Sequence, residues 1–269
     1  MISLAAVLAY LLTGALAGFF AGLLGVGGGV VVVPVLTVIF TGLGFPARDV
    51  LHLALGTSMA TILFTSISSL RAHQAHQAVL WPVVRGLTPG ILCGTLFGAQ
   101  FATRISSRSL SIFFVAFMLF VAVQMIANLR PKPSRGLPGI TGLSAVGAFI
   151  GGISSLVAIG GGAITVPYLI WCNVRPHTAI GTSAAVGLPI AIGGTLGYIS
   201  NGWANPGLPV GSLGFIYLPG LAIILLASVL TAPLGARLAH RLPIKLLKRV
   251  FAGLLVLLSA KMLWSLYAS

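Results

Sequence analysis

The sequence predicts an all-α polytopic membrane protein, built from two inverted repeats of about five transmembrane or half-membrane helices each. Three observations support this prediction: the apolar composition, the recurrence of motifs in both halves, and the distribution of basic residues. Charged residues make up only 6% of the 269 residues, whereas a soluble domain carries roughly 25%. The chain therefore lacks the polar residues that a water-facing surface needs, and its long apolar runs are typical of membrane helices.

Three sequence motifs occur twice, in the same order. The matched pairs are GVGGGVVVVPVL at 25–36 with AIGGGAITVPYL at 158–169, HLALGTSMA at 52–60 with HTAIGTSAA at 177–185, and GAQFATRISSRSLSIFF at 98–114 with GARLAHRLPIKLLKRVF at 235–251. They predict a first repeat over 1–129 and a second over 140–269, within one membrane domain. The stretch RPKPSRGLPG at 130–139 is rich in Pro, Gly and basic residues, which indicates a linker.

Each half contains five apolar segments. They run over 3–24, 28–43, 50–70, 80–102 and 109–129 in the first half, and over 140–158, 161–173, 177–200, 212–236 and 244–267 in the second. The second segment of each half is shorter than the roughly 20 residues that a full crossing needs. We therefore expect these two segments to be re-entrant, tilted or broken near the middle of the membrane.

The number of crossings in each half is odd, so the second half should enter the membrane in the opposite orientation. On this topology the side of the N-terminus receives Arg48, Arg104, Arg108 and Lys261, and the other side receives the remaining Lys and Arg of the 15. Cytoplasmic loops of membrane proteins carry an excess of basic residues. The linker is therefore predicted to be cytoplasmic, with both termini outside. Inverted repeats with short, Gly- and Pro-interrupted helices are typical of secondary transporters.

The net charge of +14 does not indicate a nucleic-acid partner, because the basic residues are scattered over short loops. Asp49 is the only acidic residue, and we expect it at the outer surface beside Arg48. A carboxylate proton relay or cation site is therefore not available, and the composition suits an anionic substrate. His73 and His76 lack a third ligand, so no metal or other cofactor is predicted. A membrane-embedded enzyme is disfavoured because no nucleophile–base set is evident.

Two glycine runs are the first candidate site residues. They are Gly27, Gly28 and Gly29 in the first half, and Gly160, Gly161 and Gly162 in the second. If a helix begins directly after each run, its free N–H groups and positive dipole end form an anion site without a charged side chain. The alternative is that the glycines only allow close helix packing.

Polar side chains in the second motif are the other candidates. The hydroxyl residues are Thr57, Ser58, Thr182 and Ser183, and the histidines that precede them by a helical turn are His52 and His177. The hydroxyls could donate to an oxyanion or bond to their own helix, and the histidines could contact an anion or a proton or simply begin a helix. Arg71 and Arg175 are candidates for a vestibule, or they only set topology.

The paired glycine runs, the HLALGTS and HTAIGTS segments, and the ending GARLAHRLPIKLLKRVFAGLLVLLSAKML resemble the TauE/SafE sulfite exporter family over nearly the whole chain. The resemblance implies a permease of the bacterial inner membrane for small sulfur-containing or organic anions, such as sulfite, sulfoacetate and other organosulfonates. It also implies a substrate site at the matched glycines and Thr-Ser pairs. The sequence leaves open whether the protein is a monomer or a homodimer.

An anion that leaves a negative cell interior gains about 2.3 kcal/mol per charge per 100 mV. Export of an anion therefore needs no coupling ion, and we expect an exporter that works by alternating access. One alternative is an ion-coupled importer of the same anions, because histidine could carry protons and backbone carbonyls could bind Na⁺. The other alternative is a channel for these anions.

Overall fold

The structure is a computed structural model that describes residues 4–24, 28–127, 134–239 and 244–268. In this part of the chain the helices are α1 (Leu4–Leu24), α2 (Gly29–Gly42), α3 (Ala47–Ala75), α4 (Trp81–Arg104), α5 (Ser107–Ile126), α6 (Ile140–Val157), α7 (Gly162–Trp171), α8 (Pro176–Gly202), α9 (Leu218–Ala239) and α10 (Ile244–Ala268). Each predicted apolar segment corresponds to one of these helices. Gly27 and residues 130–133 of the predicted linker lie outside the described residues.

One segment was predicted to start too early. The segment predicted over 212–236 begins as a hairpin, in which β1 (Ser212–Leu213) pairs antiparallel with β2 (Ile216–Tyr217), and helix α9 starts only at Leu218. Gly214, between the two strands, has φ of 55°, in the left-handed region that a right-handed helix does not contain. The apolar run did not reveal this turn, because the two strands are only two residues long and lead directly into an apolar helix.

Six of the described helices are long and apolar enough to cross a membrane, namely α1, α3, α5, α6, α8 and α9. The helices that follow the glycine runs are much shorter, with 14 residues in α2 and 10 in α7. At a rise of about 1.5 Å per residue these helices span only about 15–21 Å, roughly half of a bilayer with its headgroups. The expectation of two short segments at matching positions is therefore confirmed.

The most extensive helix packing joins α1 to α9 and α4 to α6, so the first helix of each half lies against the fourth helix of the other. Glycines allow this close approach. A Cβ atom on Gly14 of α1 would overlap the carbonyl oxygen of Ile224, and one on Gly147 of α6 would overlap that of Leu87. Positions 14 and 147 are equivalent in the two repeats, and so are positions 87 and 224. Equivalent residues therefore make equivalent contacts.

Helices α3 and α8 pack against each other at the centre of the bundle and run antiparallel. Gly194 lies against Met59, whereas Gly187, nearer the start of α8, lies against Ser66, nearer the end of α3. These two helices carry the second repeated motif, HLALGTS in α3 and HTAIGTS in α8. The fold therefore places the two copies of this motif on adjacent, oppositely directed helices.

Candidate functional site

Both short helices begin at a glycine with left-handed backbone geometry. Gly28 precedes α2 with φ of 73°, and Gly161 precedes α7 with φ of 85°. Glycine adopts this conformation without the steric cost that other residues pay. The carbonyl of Gly28 accepts from the N–H groups of Val31 and Val32, and the carbonyl of Gly161 accepts in the same way three and four residues on. The first-turn N–H groups before these have no acceptor within their own helix.

The two helix breaks, which lie at the glycines that precede α2 and α7, meet inside the bundle. A Cβ atom on Gly29, at the start of α2, would overlap the carbonyl oxygen of Ala158, the residue that ends α6. On the other side, a Cβ atom on Gly187 would lie 3.0 Å from the carbonyl oxygen of Gly160 and 2.9 Å from Oγ of Ser66. The structure therefore brings five of the six predicted glycines to one region, and the sixth, Gly27, is outside the described residues.

The glycine and threonine of each Gly-Thr-Ser motif hold the loop that leads into the fourth helix of the other half. The N–H of Tyr217 donates to Oγ1 of Thr57 over 2.9 Å, and the N–H of Leu80 donates to Oγ1 of Thr182 over 3.0 Å. Both threonine side chains are fully buried. Each threonine oxygen thus accepts a backbone hydrogen bond, and only its proton is left for a substrate oxygen.

Replacing Thr57 or Thr182 with valine should destabilise the fold. Valine has nearly the same shape, but the buried N–H of Tyr217 or the partly buried N–H of Leu80 would lose its acceptor. The loss costs about 1–3 kcal/mol for a buried group, so Thr57→Val should have the larger effect. The measurement is the fraction of monodisperse protein that remains after heating to a series of temperatures. The matched control is Ser58→Ala, because Oγ of Ser58 has no hydrogen-bond partner among the described residues. Equal melting of Thr57→Val and Ser58→Ala would contradict the assigned role of the threonine.

The serines of the same motifs differ from the threonines. Ser58 and Ser183 are fully buried, yet their Oγ atoms have no partner within the described part of the chain. Each lies four residues, one helical turn, before a residue that contacts a break: Ile62, whose Cδ1 lies 2.9 Å from a Cβ position on Gly29, and Gly187. Buried hydroxyls are normally hydrogen-bonded, so an unpaired pair at matching positions indicates a polar site.

Two further hydroxyls at the breaks were not predicted. Ser154 and Thr165 are fully buried and their oxygens also lack a partner in the described regions. Ser154 lies four residues before Ala158, and Oγ1 of Thr165 would lie 3.1 Å from a Cβ atom on Gly161. The first half has Ala21 and Val32 at the corresponding positions, so a comparison of the repeats does not single these residues out.

The two predicted histidines lie at the starts of α3 and α8. His52 is buried, with Nδ1 3.2 Å from the carbonyl oxygen of Arg48 and Nε2 3.1 Å from that of Ala102. Ten residues separate it from Ile62 at the break, which is about 15 Å along the helix. His177 is exposed in the first turn of α8. The structure thus places both histidines away from the breaks.

The sole acidic residue lies at the start of α3. Asp49 accepts from Nε of Arg48 over 3.2 Å, as expected, but its side chain is buried rather than at the surface. Nδ2 of Asn205 also donates to it over 3.2 Å. The burial of Asp49 was not predicted because Asn205 belongs to the loop that follows α8, and this contact is not visible in the sequence around Asp49.

The two vestibule candidates are in different places. Arg71 lines a crevice between α3 and α9 together with Arg237 and His76. Arg175 instead directly precedes α8, without a side-chain hydrogen bond to the helix start, and does not line this crevice.

The chain is similar in sequence to known membrane transporter proteins. The family described as "Sulfite exporter TauE/SafE" matches residues 10–262. A "Probable membrane transporter protein" of Haemophilus influenzae is 37% identical over 258 residues, covering 95% of this chain and 97% of the relative. A similarly named protein of Methanocaldococcus jannaschii is 26% identical over 94% of both chains, and YdhB of Bacillus subtilis is 26% identical over 90% of this chain and 96% of its own.

No solved structure matches the chain. The family match nevertheless covers almost the full length, including both glycine runs and both Gly-Thr-Ser motifs. The chain therefore belongs to the TauE/SafE sulfite exporter family of membrane transporters.

Proposed function

We propose that this protein is a secondary transporter that exports small oxyanions, such as sulfite, sulfoacetate and other organosulfonates, by alternating access. The observation that supports this most directly is the meeting of two helix breaks, where buried hydroxyls that have no partner in the described structure lie within a helical turn of the break residues. The first-turn N–H groups at the starts of α2 and α7 have no acceptor within their own helices. Such groups stabilise negative charge without a cationic side chain in the membrane. The only acidic side chain of the sequence, Asp49, lies at the start of α3. No acidic side chain is therefore available at the breaks to bind a cation.

The substrate site we propose is built from both halves. It comprises Gly27, Gly28, Gly29, Thr57 and Ser58 from the first half, and Gly160, Gly161, Gly162, Thr182 and Ser183 from the second. Ser154 and Thr165 join it because of their unpaired hydroxyls. His52 and His177 lie at the starts of the antiparallel helices α3 and α8, so we assign each to the pathway between the breaks and the membrane face at its own end of the bundle.

The arrangement of the halves supports an inverted repeat. Equivalent helices α3 and α8 run antiparallel, and the threonine bonds to Tyr217 and Leu80 repeat under the shifts of the sequence matches. With the basic side taken as cytoplasmic, the linker faces the cytoplasm and both termini face outward in the inner membrane. In inverted-repeat transporters the substrate lies where the repeats meet, near mid-membrane.

Flux measurements in proteoliposomes test the proposal. We expect protein-dependent sulfite flux that accelerates when the sulfite-containing compartment is made negative, because an anionic charge gains about 2.3 kcal/mol per 100 mV on leaving it. A pH gradient or Na⁺ gradient should not drive uphill movement, and sulfite on the opposite side should stimulate exchange. Gradient-driven accumulation would indicate the coupled importer instead, and flux without saturation or exchange would indicate the channel.

The same assay tests the site. Ser58→Ala combined with Ser183→Ala should lower flux by roughly tenfold or more, because two hydroxyls that meet the anion are lost. Thermal stability should stay unchanged, since neither hydroxyl has a partner in the described structure. Ser134→Ala, at an exposed loop position, is the control. Unchanged flux in the double variant would contradict the assignment of these serines.

A further inference from the structure

A crevice opens between α3 and α9 at the end of α3. Its volume is about 610 Å³, and its lining includes Phe64, Ser68 and Arg71 from α3 together with Val229 and Arg237 from α9. Both arginine side chains are exposed. Two guanidinium groups from different helices therefore face one cavity that is large enough for a small ligand.

No acidic side chain in the sequence lies close enough to neutralise these two charges. Asp49 is the only acidic residue in the sequence, and it lies 22 residues before Arg71 on the same helix. That separation is about 33 Å along α3. Guanidinium groups bind oxyanions through paired, charge-assisted hydrogen bonds, so the crevice is chemically suited to an anion supplied from outside the chain.

The pseudo-equivalent position, between α4 and α8, is closed. The residue that corresponds to Arg71 in the other repeat is Leu196, and the residue that corresponds to Arg237 is Gln100, so both charges are absent. Gly193 corresponds to Ser68, and a Cβ atom on Gly193 would overlap Oγ1 of Thr95 in α4. Helices α4 and α8 are thus in direct contact at the position where a crevice separates α3 from α9, so the crevice is not repeated at the pseudo-equivalent helix pair.

We propose that the crevice between α3 and α9 is an oxyanion-binding site, held by Arg71 and Arg237, at one face of the membrane. This proposal rests on the proposed function, because it makes the crevice the mouth at which a small oxyanion is concentrated before it reaches the breaks. Its chemistry also fits the phosphate of an anionic lipid, since Phe64 and Val229 are exposed beside it. The experiment has to separate these two sources.

The test is equilibrium binding to full-length protein in nanodiscs. Radiolabelled sulfite is titrated onto protein in phosphatidylcholine discs, and phosphatidylglycerol retention is measured separately by native mass spectrometry. The variants are Arg71→Leu and Arg237→Gln, singly and together, which install the residues found at the corresponding positions of α8 and α4. Arg85→Gln, an exposed arginine in α4, is the control for a loss of charge alone.

We expect the double variant to weaken sulfite binding by roughly tenfold or more while Arg85→Gln leaves it unchanged. If phosphatidylglycerol retention falls and sulfite binding does not, the oxyanion that occupies the crevice is a lipid headgroup. Unchanged binding of both ligands in the double variant overturns the proposal. Sulfite binding is measured independently of sulfite flux. A wild-type protein that binds sulfite in an Arg71- and Arg237-dependent way but does not transport it would contradict the proposed function and still support the site in the crevice.

Discussion

Replacing Gly161 with valine is expected to lower sulfite flux by roughly tenfold or more while leaving the protein folded. A valine side chain would occupy the space at the start of α7, in front of the first-turn N–H groups. The nearest atoms to a Cβ at this position are Cδ1 of Ile190 at 2.9 Å and Oγ1 of Thr165 at 3.1 Å. Both are side-chain atoms, so they can move aside.

The backbone strain of this substitution is moderate. The φ angle of 85° at Gly161 is unfavourable for a β-branched residue, and such strain costs on the order of 1–3 kcal/mol. Proteins typically have about 5–15 kcal/mol of stability, so the fold should survive. Gly28 is a poorer choice, because a Cβ there would lie 2.5 Å from the backbone oxygen of Ala17, which cannot move alone.

The measurement compares initial sulfite flux per folded protein with that of Gly253→Val. Gly253 is a helical glycine of α10, and a Cβ there would have no atom within 4 Å. This control should transport normally and elute as a single species in size-exclusion chromatography. If Gly161→Val matches Gly253→Val in flux, the break before α7 is not part of the substrate site.

The helices and the breaks could be predicted from the sequence because their signals are local. An apolar run of about 20 residues is sufficient to indicate a membrane helix, and a glycine run before a proline-containing segment indicates a broken one. The repetition of the run at 25–36 and 158–169 strengthened that interpretation. The hairpin over 212–217 was missed because its two strands are very short and lead directly into the apolar helix α9, while their pairing and the turn at Gly214 are properties of the folded backbone.

The different roles of neighbouring residues in the Gly-Thr-Ser motifs could not be predicted from the sequence. Thr57 accepts from Tyr217, which is 160 residues away, and Thr182 accepts from Leu80, 102 residues away. Thr57 and Ser58 are both hydroxyl residues in one apolar helix, and nothing local shows which has a partner. The same reason explains the burial of Asp49, which depends on a loop from the other half.

Locking helix α4 to helix α8 is expected to stop transport. If transport follows the alternating access proposed above, the two pseudo-equivalent helix pairs, α3 with α9 and α4 with α8, should open in turn. In this structure a crevice lies between the first pair, and the second pair is in direct contact at the corresponding position. A Cβ on Gly193 would lie 3.1 Å from Cβ of Thr95. Disulfides join Cβ atoms about 3.5–4.5 Å apart, so Thr95→Cys with Gly193→Cys needs only a small adjustment.

The expected result is a loss of sulfite flux by roughly tenfold or more on oxidation, with recovery after reduction by dithiothreitol. Cys93 and Cys172 are replaced by serine beforehand so that only the introduced pair can react. The control cross-link is Gly86→Cys with Leu143→Cys, between α4 and α6, where the Cβ separation is also 3.1 Å.

The control pair joins two helices that are among the most extensively packed in the bundle, which we expect to move as one body. Oxidation of this pair should therefore leave flux intact, although it joins the same helix α4 across the same distance. The comparison separates the chemistry of cross-linking from the motion that the cross-link prevents. Full flux with the bond between positions 95 and 193 intact would mean that the contact of α4 with α8 never opens. The closed contact would then be a fixed part of the fold, and the crevice beside Arg71 would not belong to an alternating pair.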